Sequence, residues 1–381
     1  MTGVILVGAH GHGRWHLDNL RRAAAAGTAR LAGVCDLRPV DEAALAGFDP
    51  APEQSPDLPA LIDRTGAEVV IVATPIPTHA ELTLAAVARG AHVLLEKPPA
   101  ATYADFERIA AGVRDAGRAC QIGFQSLGSA AIPAVCTLIA DGAVGRVRGI
   151  GAAGAWLRTS AYFARAPWAG RRRAGGTDVV DGALTNPFAH AVATALAVDG
   201  SEGPGDVAGI ELELFHAFPI ESDDTSCLRL RTARGTVVTV AATLCAPKRT
   251  EPYLIVHGEK GRIALTYTRD EVRLERPGRD PIVSVHPRTD LLDNLLAHVR
   301  GDAELLVPPE RTAAFMRVLD AVRTAPDPLP IPDGRQRVTT ADGQQRRELP
   351  GVEALVAASA ERLALFSELG APWAVREEVP G

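Results

Sequence analysis

Short apolar runs separated by helical segments constrain the first third of this chain more than any other feature. Val4-Ile-Leu-Val7, Leu31-Ala-Gly-Val34, Val69-Val-Ile-Val-Ala73 and His92-Val-Leu-Leu95 each have strand length. A run that is apolar at successive positions is buried on both faces, as in a parallel sheet covered by helices. The segments between carry helix signals. Thr78-His-Ala-Glu81 has capping-box spacing and opens a helix that stops near Gly90, and Thr102 with Asp105 opens another that Gly117 closes. Cys120-Gln-Ile-Gly123 follows as a further strand, while residues 47–59, rich in proline and acidic groups, read as loop. Strands alternating with helices of about 10–15 residues predict a doubly wound α/β domain. It occupies residues 1–124.

Beyond residue 124 the period changes. A helix over 129–141 leads into a strand over 146–156, then an irregular arginine-rich stretch to 176 and a helix containing 189–198. Alternating runs follow at 211–215, 226–231, 236–240, 253–256 and 263–265. Period-2 alternation predicts an antiparallel sheet with one covered face and one face available. Helices return at 289–300, 309–324 and 351–369. The second domain is therefore expected over 125–345, with 346–381 as a C-terminal helix and tail packing back on the body.

Charge and cysteine usage narrow the class. With 40 Lys+Arg against 46 Asp+Glu, the net charge of −6 and the absence of a basic block exclude a strongly basic nucleic-acid binder. No apolar run approaches the ~20 residues needed to cross a bilayer, so no membrane partner is expected. The N-terminus enters a strand-like run without a charged leader, and the five scattered cysteines lack any C-x-x-C pair. They read as buried thiols in a reducing cytoplasm.

Gly8-Ala-His-Gly-His-Gly13 follows the first strand and opens a helix. A glycine-rich turn lets backbone N–H groups approach a pyrophosphate at a helix N-terminus. His10 stands where strict G-x-G-x-x-G spacing requires glycine, and Gly11 follows it. Asp36 closes the second strand, 23 residues after Gly13. A carboxylate there accepts from ribose hydroxyls and repels a 2′-phosphate, which favours NAD. Arg38 is placed to receive a 2′-phosphate, so NADP stays open. His10, His12 and His16 lack H-E-x-x-H spacing and read as cofactor-loop histidines rather than metal ligands.

Side chains at the carboxyl ends of doubly wound strands face the ligand. Glu96-Lys97-Pro98 and Thr74-Pro75…His79 occupy such ends. Together with Gly13-Arg-Trp-His16 and Gly123-Phe-Gln125, they resemble in order and spacing the Gfo/Idh/MocA family of NAD(P)-dependent oxidoreductases. The resemblance is closest over 3–125 and runs loosely through Gly145-Arg-Val, Trp168 and Gly258-Glu-Lys-Gly261.

The resemblance implies an N-terminal Rossmann domain and a second domain on a large, mostly antiparallel open sheet. One face of that sheet closes the active site; the other is expected to form a homodimer or homotetramer interface. Gly8, His10, Gly11, His12, Gly13, Asp36, Arg38, Thr74, Pro75, His79, Glu96, Lys97 and Gln125 then become cofactor-binding candidates. The family's lysine matches Lys97. Its second catalytic segment, an Asp followed four residues later by His, matches Asn186 and His190, with Asn in place of Asp. The other register pairs Asp181 with Thr185 and loses the His.

His190 suits proton abstraction near neutrality, and Lys97 suits stabilisation of alkoxide charge. Asn186 can orient a partner but cannot carry a proton. Gln125, Trp168, Arg171 and Arg172, with Asn186 and His190, are the substrate-binding candidates. Aromatics interleaved with arginines suit a polyol ring, and equally a carboxylate or phosphate. The expected activity is hydride transfer between NAD and a secondary hydroxyl or ketone of a sugar, glycoside or cyclitol. An NAD-using glycosidase and a non-catalytic nucleotide sensor are the alternatives.

Overall fold

The computed structural model describes residues 1–374. In chain order the first elements are β1 (Thr2–Val7), α1 (Gly13–Ala25), β2 (Ala29–Cys35), α2 (Glu42–Leu45), β3 (Glu53–Ser55) and α3 (Leu58–Thr65). Next come β4 (Val69–Val72), α4 (His79–Ala88), β5 (His92–Leu95), α5 (Tyr103–Asp115), β6 (Cys120–Ile122) and α6 (Ala131–Ala140). They lead to β7 (Val147–Ala155), α7 (Ser160–Phe163), β8 (Arg173–Ala174), β9 (Thr177–Asp178) and α8 (Ala189–Asp199). The antiparallel run comprises β10 (Val207–His216), β11 (Thr225–Thr232), β12 (Val237–Thr243), β13 (Tyr253–Gly258), β14 (Arg262–Thr266), β15 (Glu271–Glu275) and β16 (Ile282–Val285). The chain closes with α9 (Leu291–Val299), α10 (Ala313–Thr324), β17 (Leu329–Pro330), β18 (Arg337–Ala341), β19 (Gln344–Glu348) and α11 (Val352–Arg362).

Two compact units result. The first holds residues 1–128 and 289–312; the second holds 129–288 and 313–374. The first unit is a parallel six-stranded sheet in the order β3-β2-β1-β4-β5-β6. Every residue of β1 and β4 is buried, as their unbroken apolar runs require. Residues 47–59, expected as loop, contain the edge strand β3. Thr102 caps α5 by accepting from the Asp105 N–H, whereas the matching spacing at Thr78 makes no side-chain cap. The Thr78 hydroxyl instead donates to the Pro75 carbonyl within a short 3-10 turn.

The domain boundaries differ from expectation at one segment. Residues 289–312, expected in the second domain, belong to the first unit. Polar groups tie them there: Gln121 Nε2 donates to Asn294 Oδ1 at 2.6 Å and Gln121 Oε1 accepts from the Val307 N–H at 2.8 Å. The Ile122 N–H donates to the Val307 carbonyl, extending the pairing beyond β6. The C-terminal helix α11 packs on β7 and β12 within the second unit, and residues 375–381 lie outside the described ones.

The second unit is built on a nine-stranded mixed sheet in the order β16-β15-β14-β13-β7-β12-β11-β10-β17. Its centre, β7, pairs parallel with β12 and antiparallel with β13. The small residues of β7 explain how both of its faces are covered. A Cβ at Gly154 would lie 2.1 Å from the Phe188 ring, and one at Gly151 would lie 1.9 Å from the Ala360 carbonyl of α11. Side chains three apart on a strand point to opposite faces, so α8 and α11 press on β7 from both sides. The face expected to be open, and to form the oligomer interface, is thus occupied over β7 and β12 by the chain's own α11. Val352, Val356 and Ala360 bury there against Ala153, Ala155 and Ala241. Among the described residues no helix is long and apolar enough to cross a membrane.

Gly151→Ala should therefore lever α11 off the sheet. Overpacking of this kind costs about 1–3 kcal/mol. Urea denaturation should show that loss, whereas Gly205→Ala, whose Cβ meets nothing within 4 Å, should stay near wild type.

Candidate active site

Cofactor-side residues gather at the carboxyl edge of the parallel sheet. Gly8 has φ +83°, and a Cβ there would meet the Ala73 carbonyl at 2.9 Å. A Cβ at Gly13 would sit 1.8 Å from the Gly8 carbonyl, so only glycine lets α1 start this close to the turn. Asp36 accepts from the Ala9 N–H at 3.0 Å through one oxygen and from the Arg38 N–H at 3.1 Å through the other. Each oxygen keeps a lone pair for a hydroxyl. His10 Nε2 is buried without a hydrogen-bond partner, 3.9 Å from Asp36. A cradle that any Cβ would fill, an orphaned polar atom and a carboxylate with acceptor capacity left fit a dinucleotide. Gly11, also at positive φ, and Arg38 are exposed beside them.

Glu96 ends β5 and is buried, yet it is the hub of this edge. His16 Nε2 donates to its Oε1 at 3.0 Å, His12 Nε2 lies 3.3 Å from the same oxygen, and Gln125 Nε2 donates to it at 3.3 Å. The Lys97 N–H donates to Oε2 at 3.2 Å. Burial alone would raise the Glu96 carboxyl; the hydrogen bonds and charges of His12 and His16 override it and hold it well below the usual carboxylate range. A Cβ at Gly123 would press on this carboxylate at 3.0 Å, which accounts for the glycine before Phe124-Gln125.

The ligating atoms of His12, His16 and Glu96 lie within 4.8 Å of one another, a grouping the spacing of the three histidines did not disclose. A metal on His16 Nε2 would place the ring proton on Nδ1, which is buried without a partner. The geometry therefore favours a hydrogen-bonded carboxylate over a metal ligand set. Lys97 is half-buried directly after Glu96.

His79 requires correction as a cofactor contact. Its ring is 1% exposed, with Nδ1 at 2.9 Å from the Pro98 carbonyl and Nε2 at 2.9 Å from the Thr74 carbonyl. It fastens the Thr74-Pro75 turn to the loop after β5. Burial lowers its pKa while the two carbonyls work the other way. The Thr74 hydroxyl donates to Thr78, and Pro75 is exposed at the tip of the turn.

In the second unit, His190 lies in the first turn of α8 and Asn186 in the turn that leads into it, both half-buried. The carboxylate missing at 186 is supplied from elsewhere. Asn186 Nδ2 donates to Asp181 at 2.5 Å, and the buried Asp181 also accepts from the Gly170 N–H at 2.8 Å and from Arg165 at 2.9 Å. The register that pairs Asp181 with Thr185 thus contributes its acid, while the Thr185 hydroxyl donates to the Val180 carbonyl. Val180, with φ +48°, is a β-branched residue in the left-handed region, strain spent on setting Asp181 in place.

Arg172 is withdrawn as a substrate contact, because its Nη2 donates to the Val322, Arg323 and Ala325 carbonyls at the end of α10. Arg171 is exposed and pairs with Glu221 at 2.9 Å. Trp168 stacks against the Arg165 guanidinium at 4.7 Å.

A glycine turn at β1–α1, an acid ending β2 and a lysine ending β5 define a nicotinamide-dinucleotide oxidoreductase of the doubly wound class. The profile of the oxidoreductase family with NAD-binding Rossmann fold matches residues 2–124, and the GFO/IDH/MocA C-terminal domain matches 133–264. The chain belongs to the Gfo/Idh/MocA family. It is 36% identical over 149 residues to an inositol 2-dehydrogenase of Streptomyces avermitilis, covering 38% of this chain and 42% of that protein. It is 28% identical over 240 residues to a levoglucosan dehydrogenase of Pseudarthrobacter phenanthrenivorans, covering 57% and 60%. These matches thus span less than two thirds of either relative. Among solved structures, the WlbA dehydrogenase of Bordetella pertussis in complex with NADH and UDP-GlcNAcA shares the fold at TM-score 0.68 and 23% identity, covering 84% of this chain and 95% of that one.

Two measurements check this geometry. Asp36→Ala should lower the preference for NAD over NADP by about tenfold or more, read as the ratio of dissociation constants. Because the folded-state pKa of Glu96 is depressed, its stabilisation is present above the unfolded carboxyl's ordinary ~4.3 and lost as pH falls through the folded value. Glu96→Gln should be less stable at pH 7 and show a flatter acid limb in urea titrations below about pH 4.5.

Proposed function

We propose that the chain is an NAD-dependent oxidoreductase acting on a secondary hydroxyl, or the matching ketone, of a sugar, glycoside or cyclitol. The observation that carries this reading is the Glu96–Lys97 end of β5. Glu96 is turned inward and saturated by His12, His16 and Gln125, which fixes the backbone that presents Lys97. The named activities of the relatives, inositol and levoglucosan dehydrogenation, supply the substrate class.

The turn at Gly8–Gly13 offers its N–H groups to a pyrophosphate, and Asp36 accepts from the ribose hydroxyls. Bound NAD supplies the hydride acceptor, and NADH the donor. Lys97 stabilises negative charge on the substrate oxygen as its proton leaves. His190 takes that proton in oxidation and returns it in reduction. Asn186, held by Asp181, positions this end of α8 and carries no proton. The arrangement of Asp181 behind Asn186 supports keeping this segment in the catalytic machinery despite the Asp-to-Asn difference.

Lys97→Ala tests the assignment. Turnover of a sugar and cyclitol panel, followed as NADH formation, should fall by about 10²–10³. NAD affinity by fluorescence titration should hold within about threefold. Loss of NAD binding in the variant would move Lys97 from chemistry to cofactor retention.

A further inference from the structure

The segment after β7 builds a ladder in which guanidinium groups and aromatic rings alternate. Arg249 lies 4.6 Å from the Trp156 ring and Arg158 4.9 Å from the same ring. Arg158 also lies 4.9 Å from Tyr162, Arg165 lies 3.9 Å from Tyr162, and Arg165 lies 4.7 Å from Trp168. Three cations thus alternate with three rings, two of the rings lying between cations and Trp168 ending the ladder. Such stacking offsets part of the cost of taking a guanidinium out of water, but each cation still seeks an anion.

The charges do not balance. Arg165 is neutralised by the buried Asp181, whose oxygens are taken up by Arg165, Gly170 and Asn186. Among the described residues no carboxylate pairs with Arg158 or Arg249. Arg158 is half-buried, its Nη1 donates to the neighbouring Leu157 carbonyl at 3.4 Å, its guanidinium also bonds the Tyr162 hydroxyl, and its Nε is buried without a partner. Burial, Arg249 and Arg165 all disfavour its charged form, with Tyr162 acting against them. A guanidinium N–H buried with no acceptor costs free energy unless a ligand completes it.

The ladder adjoins the segment that carries His190. The Trp156 ring packs 4.6 Å from Phe188, the residue before α8, and Asp181 links Arg165 to Asn186. We propose that Arg158 and Arg249 form an anion-recognition site for the substrate, so that the preferred substrate is a sugar bearing a carboxylate or phosphate. The Trp156 and Tyr162 rings hold the two guanidinium groups in place between them, and the guanidinium forks take the anion. This specificity rests on the reading of the chain as a sugar oxidoreductase, but anion binding can be measured without turnover.

The full chain is titrated with glucuronate, glucose 6-phosphate and glucose, following tryptophan fluorescence and calorimetry, in the wild type, Arg158→Met and Arg249→Met. The wild type should bind at least one anionic sugar tenfold or more tighter than glucose. Each variant should cut that anionic-over-neutral preference tenfold or more, and Arg158→Lys should recover only part of it. Arg249→Met, at the exposed end of the ladder, keeps the test independent of any folding loss in Arg158→Met. Preference for the uronate or for the phosphate identifies the anion, and either supports the site. Equal binding of all three sugars, no binding, or a preference that both variants retain overturns it. Arginine-dependent binding with no NADH formed on any sugar would uphold the site and sink the oxidoreductase reading. Turnover of neutral sugars alone would do the reverse.

Discussion

A single buried carboxylate organises the cofactor edge of the first unit. Glu96 sits at the end of β5 with water excluded, a placement that costs several kcal/mol for an unpartnered ion. The cost is met by converging donors from different parts of the sheet: His12 and His16 from α1 and its turn, Gln125 from beyond β6, and the Lys97 N–H. Because these donors come from separate crossovers, the carboxylate fixes the glycine turn and the lysine-bearing loop relative to one another. His79 does the same one layer back, tying the loop after β4 to the loop after β5 through two carbonyls. Lys97 therefore gains its position from the inward-facing neighbour on either side of it rather than from its own contacts alone.

In the second unit the governing constraint is steric. The glycines and alanines of β7 let α8 and α11 approach the sheet centre from opposite faces, and Phe188 fills the hollow over Gly154. That contact sets the start of α8 and hence where Asn186 and His190 stand. Asp181 completes the arrangement from a strained turn, exchanging a local backbone penalty for a buried acid bonded to Arg165 and Asn186. The Asn at 186 then reads as one half of an Asp–Asn pair split across five residues.

What was legible in the sequence was local. The turn between β1 and α1, Asp36 at a strand end and the Glu96-Lys97-Pro98 corner each depend on residues adjacent in the chain, and their chemistry follows from where parallel strands end. What escaped was non-local. Arg172 looked free for substrate because nothing near it in sequence reveals the helix end it caps, 150 residues away. Residues 289–312 read as part of the second domain because their bond to Gln121 joins positions 173 apart. Thr78 shows a local failure: its spacing suited a cap, but the preceding Pro75 carbonyl captured its hydroxyl first. Period-2 alternation suggested an open sheet face, yet alternation records only that the faces differ, and α11 covers the second face through small residues that carry little hydropathy signal.

The treatment of other buried ions sharpens the contrast with Arg158. Burial pushes the Asp224 carboxyl up to about 6, and the chain answers with the Ala217 and Phe218 N–H groups at 2.8 Å and the Thr225 hydroxyl. Asp223, likewise raised by burial, accepts from the Ala183 N–H and from Ser226. Asp181 has its three donors and Glu96 its four. Each buried carboxylate of this set is completed internally, as structural ions must be. Arg158 is a half-buried cation whose Nε is left without a partner, and it stands beside the segment bearing His190. A fold that completes its structural charges this consistently leaves one incomplete where the missing partner arrives from solution.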